Sequence, residues 1–85
     1  NNMKKKISEK DIIKIISKIL KISPAIVIKT DNYNKMKNWD SLAQLDIISA
    51  IDTKINGKIG KIKNISEIYS VKKIIGLLKK NSLIA

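Results

Sequence analysis

The sequence predicts an all-α fold: a small four-helix bundle, three main helices plus one short helix, with a long first loop. Three observations lead there. Isoleucine and lysine segregate at helical spacing in residues 8–22 and again in residues 71–80. Helix-boundary residues stand where those patterns begin and end. No run alternates apolar and polar residues as a strand would, the nearest approach being around Ile26.

The first helix starts at Ser8-Glu9-Lys10-Asp11, with Ser8 as N-cap and acids in the first turn. At 100° per residue Ile12, Ile13, Ile15, Ile16, Ile19 and Leu20 share one side, and Lys10, Lys14, Lys18 and Lys21 the other. Pro24 ends it near Ser23, because proline disfavours helix in the residue before it. A connection over residues 23–40 follows. Structureless connections beyond about 12–15 residues are uncommon in compact domains and are often functional. Residues 25–28 form a short turn that pins this loop to the core, "TDNYNKMKN" is polar, and Trp39 closes the loop.

The second main helix runs over residues 41–55, with Leu45, Ile48, Ile51 and Ile55 as its buried stripe. Leu42 falls on the outward arc with Asp46, Ser49 and Thr53. Asn56-Gly57 stops it. A linker with Gly60 leads to one short helical turn at residues 65–68. Ser70 then caps a last helix from Val71 to Lys80, with Val71, Ile74, Ile75, Leu77 and Leu78 inward and Lys72, Lys73, Lys79 and Lys80 outward. Residues 7–80 are thus the folded domain. Residues 1–6 read as a disordered leader in which Asn1 and Asn2 are expression-derived additions, and residues 81–85 as a C-terminal tail.

Eighty-five residues make one small domain with a modest core. There is no Cys and no His. The thiolate nucleophile, the commonest zinc ligand and the commonest general base are therefore missing, so neither a catalytic nor a metal-ligating set is expected and the chain reads as a non-enzyme. No apolar run reaches the roughly 18 residues that span a bilayer. "NNMKKKI" lacks the apolar stretch of a signal peptide, so a cytoplasmic protein is expected.

The net charge is +11, but every one of the 18 cations is Lys. Nucleic-acid sites favour the planar, bidentate fork of Arg. Ile, Lys and Asn fill 46 of 85 positions, and all three have codons built of A and T alone. Base composition therefore accounts for the lysines, which act as default surface filler. Their absence is the informative event: residues 38–53, which hold "NWDSLAQLD", contain no Lys and three Asp, a charge of −3 against +14 elsewhere.

Ser41 opens this window. With Gln44 it fits the S-x-x-Q capping box, a purely structural role. The same hydroxyl, exposed at a helix N-terminus, can also be esterified, and a phosphate there meets free N–H groups and the positive end of the helix dipole.

Trp39-Asp40-Ser41-Leu42, then "AQLDIISAID", Asn56-Gly57 and the final "YSV" come in an order that resembles an acyl carrier protein of the phosphopantetheine-binding family, over roughly residues 7–80. The resemblance implies that Ser41 carries a 4′-phosphopantetheine arm, placed from coenzyme A by a phosphopantetheinyl transferase. The arm would hold acyl or aminoacyl groups as thioesters for loading and acyl-transferring enzymes, and the phosphoprotein would be a monomer. Asp40, Leu42, Asp46 and Asp52 would dock those partners, with lysine excluded because a cation would repel basic partner surfaces. Leu45, Ile48, Ile51, Ile65, Ile68 and Ile74 would line a space for a short acyl chain, though such stripes also form plain core. The chain is basic where relatives are acidic, and Ala43, Thr53 and Lys54 stand where many relatives carry acids. That leaves room, beside fatty-acid biosynthesis, for a specialised surface-glycan or secondary-metabolite pathway. Two rivals stand beside this reading. One is a small basic helical nucleic-acid-binding domain, opposed by the missing Arg, the long loop and the acidic second helix. The other is a membrane-surface or partner helix over residues 8–22.

Overall fold

The structure, a computed structural model, describes residues 6–30 and 38–85. Among them are four α-helices and no strand, the all-α bundle that the sequence predicts. In chain order they are α1 (Glu9–Leu20), α2 (Pro24–Thr30), α3 (Ser41–Lys54) and α4 (Val71–Lys80), with 3-10 turns at Lys58–Lys61 and Ile65–Glu67 between the last two.

Local chemistry sets each boundary. The Asp11 carboxylate reaches back to accept the Ser8 N–H at 2.7 Å, which fixes the first turn of α1. Lys21, in the left-handed region at φ 58°, ends α1, and the Ile22 N–H closes on the Ser17 carbonyl at 3.1 Å. Pro24 both forbids continuation of α1 and opens α2, where its missing N–H is no loss. α3 stops at two successive left-handed residues, Asn56 and Gly57. The Ser70 Oγ accepts the Lys73 N–H at 3.2 Å and caps α4.

α1 is the hub, packing on α2, α3 and α4, while α3 also rests on both 3-10 turns. Ile12, Ile16, Leu20, Val27, Ile47, Ile51, Ile74 and Leu78 are fully buried and form the centre of the core. Each contributes about 1.5–3 kcal/mol by leaving water. All the lysines assigned to the outer faces of α1 and α4 are exposed.

Three expectations are corrected. The connection over residues 23–40 is not structureless: α2 occupies Pro24–Thr30, seeded by Pro24 at its first position and held to the core by Val27. Most of the polar stretch, residues 31–37, lies outside the described residues, as do residues 1–5 of the expected leader. The buried stripe of α3 is rotated by about one residue. Ala43, Gln44, Ile47, Ile51 and Ile55 face inward, Ile48 is half-buried and Leu45 points out. Finally, residues 81–85 are no tail. Ile84 is buried, and the Ala85 N–H donates to the Ile7 carbonyl at 2.9 Å, so both ends of the described chain close the same layer.

Candidate functional site at the start of α3

Asp40, not Ser41, caps α3. Its backbone is extended and its Oδ1 accepts the Ala43 N–H at 2.9 Å. The expected S-x-x-Q capping box therefore does not form. Ser41 becomes the first residue of the helix. Its side chain is exposed, and its hydroxyl makes no hydrogen bond among the described residues.

Gln44 is occupied elsewhere. It is 1% exposed, and its side chain ties three segments together. Oε1 accepts the indole N–H of Trp39 at 2.7 Å, and Nε2 donates to the carbonyls of Ser66 at 3.2 Å and Ile68 at 2.8 Å. A buried amide is tolerated only when satisfied in this way. The result is a rigid joint between the residue before the cap, the first turn of α3 and the 3-10 turn at Ile65–Glu67. Asn38 adds a second tie, its Nδ2 donating to the Leu20 carbonyl at the end of α1 at 3.1 Å.

Ser41 edges an open cleft of about 540 Å³. Trp39, Ile68 and Tyr69 supply its apolar wall, and Asp40, Glu67, Ser70 and Lys73 its polar rim. The rings of Trp39 and Tyr69 lie with centroids 6.1 Å apart, tilted by 42°. Of the six residues expected to line an acyl space, only Ile68 reaches this cleft. Ile51, Ile65 and Ile74 are core, Ile48 is half-buried, and Leu45 is on the surface.

The outward face of α3 carries Leu42, Leu45, Asp46, Ser49 and Thr53, all exposed. Leu42 is 68% and Leu45 60% exposed, an apolar pair at i, i+3 beside a carboxylate. The three acids of the lysine-free window differ in their duties. Asp40 is the cap. Asp52 is half-buried, and its Oδ1 accepts the Ile59 N–H at 3.0 Å, pinning the turn after α3. This explains an acid near a helix C-terminus, where the dipole alone disfavours it. Only Asp46 is both exposed and without a hydrogen bond or ion pair among the described residues.

Sequence reasoning gave Gln44 a capping role and missed its buried one, and it missed Tyr69 and Lys73 as parts of this site. For Gln44 a signal existed: it stands on the 44–47–51 line of the helix, five residues after the single Trp.

No group of His, Cys, Asp and Glu among the described residues has the arrangement of a metal site, and none of the described helices is long and apolar enough to cross a membrane. No protein-family model matches the chain, and no curated protein or solved structure matches it either.

Proposed function

We propose that the chain is a carrier protein whose Ser41 Oγ is the attachment point for a 4′-phosphopantetheine arm. One observation carries this reading: a serine hydroxyl, exposed and without a partner among the described residues, at the first residue of a 14-residue helix and on the rim of a cleft. The oxygen can be approached by a large enzyme, and no hydrogen bond to a described residue has to break before it is esterified. The residues present fit the group in that respect. Once attached, the arm would supply a thiol to hold acyl or aminoacyl cargo.

The chain's own residues would do the rest. Asp40 fixes where α3 begins and so where Ser41 stands. Gln44 and Trp39 keep that position rigid under the docking of a phosphopantetheinyl transferase or an acyl-transferring enzyme. Leu42 and Leu45 offer apolar contact and Asp46 a free carboxylate, on a helix that carries no lysine from Ser41 to Thr53. Asp40 and Asp52 add negative potential there while serving the fold. With Ile51, Ile65 and Ile74 tightly packed, cargo would sit nearer Ile68 and the cleft than the bundle centre. The weak charge of the docking face favours a dedicated pathway over general fatty-acid synthesis.

The test is direct. The protein is incubated with coenzyme A, magnesium and a broad-specificity phosphopantetheinyl transferase, then weighed intact. The expected result is the mass of one arm on the wild type and none on Ser41→Ala. No gain with several transferases overturns the reading.

A further inference from the structure

We propose that Lys73 is the counter-charge for a phosphodiester on Ser41, so that the cleft holds the attached arm against its apolar wall instead of releasing it to solvent. This rests on the carrier reading and adds a binding site within this chain for the arm itself.

Three observations converge. First, Ser41 and Lys73 come from different helices and line the same cleft. Second, Lys73 is uncommitted. Its Nζ reaches no carboxylate among the described residues, although Asp40 and Glu67 line the cleft with it. Lys79, by contrast, meets Glu9 at 2.7 Å. Third, Lys73 stands where its own helix gains nothing from it. It lies in the first turn of α4, which carries no acid, and a cation at that end opposes the helix dipole. The first turn of α1 carries Glu9 and Asp11 instead.

Charge decides the outcome. Asp40, Glu67 and Lys73 leave the cleft one negative charge, and a phosphodiester adds another. Without Lys73 the phosphate would face two carboxylates and no cation in the cleft, and repulsion would expel it. With Lys73 the phosphate can stay at the rim, and the apolar part of the arm can lie on Ile68 and Tyr69. The cleft volume falls within the roughly 300–1,000 Å³ of small-molecule sites.

The test uses the full chain loaded on Ser41 with an isotope-labelled arm, checked by intact mass, and compares wild type, Lys73→Gln and Lys80→Gln. Lys80 is exposed at the far end of α4 and does not line the cleft, so its variant matches the charge change alone. Lys73 serves the α4 cap through its backbone N–H only, which glutamine retains. The expected result is nuclear Overhauser contacts from the arm to Ile68 and Tyr69 in the wild type and in Lys80→Gln. In Lys73→Gln they are lost, and the phosphorus resonance moves to the position of a free phosphodiester. Loading without such contacts, or contacts that survive in Lys73→Gln, overturns this inference and leaves the carrier reading standing. Failure to load overturns both.

Discussion

Helices α1 and α3 are neighbours of similar length in the same bundle, yet they are built on opposite terms. On α1 the division is clean: isoleucine and leucine inside, lysine outside, and Ser17 the one polar residue among those buried. On α3 a glutamine lies in the core while two leucines face water. The fold alone explains α1, because burying its apolar side and wetting its charged side is the arrangement of lowest free energy. It does not explain α3, where burying an amide and exposing leucine both weaken folding unless something offsets them. The buried amide is offset by the Trp39, Ser66 and Ile68 hydrogen bonds. The exposed leucines have no such compensation among the described residues, which is the pattern expected of a surface shaped by a partner.

Substitutions in the two helices test this contrast. The largest effect is expected from cavities at matched core sites. Ile16→Ala in α1 and Ile47→Ala in α3 should each cost about 2–5 kcal/mol in urea unfolding. If Ile47→Ala were nearly silent, α3 would not be packed as tightly as α1. Next comes Gln44→Leu, expected to lower stability by about 1–3 kcal/mol by stranding the Trp39 N–H and two carbonyls. A more stable variant would mean that the buried amide does not hold the joint. Asp40→Ala should cost about 0.5–2 kcal/mol through loss of the α3 cap, and circular dichroism should show fraying there while α1 is intact.

Leu42→Ser and Leu45→Ser should change folding by less than about 0.5 kcal/mol, as should Lys14→Ser on α1. Only the leucine pair should slow loading of Ser41 by the transferase. Equal loading rates for all three would remove the leucines from the docking surface. The smallest effect concerns the start of α1. Hydrogen bonds from the Ser8 backbone, and then from its hydroxyl, hold the Asp11 carboxyl below its ordinary 3.8. A depressed folded-state value stabilises the protein above the unfolded value, and that contribution is lost as pH falls through the folded one. Asp11→Asn should flatten the acid limb of the stability profile below about pH 3.8, and an unchanged limb would remove Asp11 from it.

The same contrast explains how much could be seen in the residues beforehand. Helices α1 and α4 were legible because lysine and isoleucine mark opposite sides at helical spacing, and Ser8 and Ser70 sit at their starts. The beginning of α3 and its stop at Asn56-Gly57 were legible for similar reasons. The inward side of α3 was not. Polarity excludes Gln44 from a core unless one knows that the carbonyls of Ser66 and Ile68 wait there, and those are brought by the tertiary fold. With Gln44 assigned to a capping box, Leu45 took its place in the expected stripe. Asp40 and Ser41 were both reasonable caps, and local sequence does not separate them. A seven-residue helix such as α2 is too short for periodicity to declare it. Ile84 is one apolar residue near the end of the chain, and only its contacts show that it belongs to the core. The cleft beside Ser41 joins residues about 30 positions apart, a juxtaposition that no local pattern encodes.

Trp39 gives the molecule an intrinsic optical reporter. Its indole is the single one in the chain, lies two residues from the proposed attachment serine, and is clamped by an amide beside a tilted tyrosine ring. Ultraviolet emission collected without any label should register whatever enters the neighbouring cleft, and quenching titrations should separate an occupied cleft from an empty one in a cuvette.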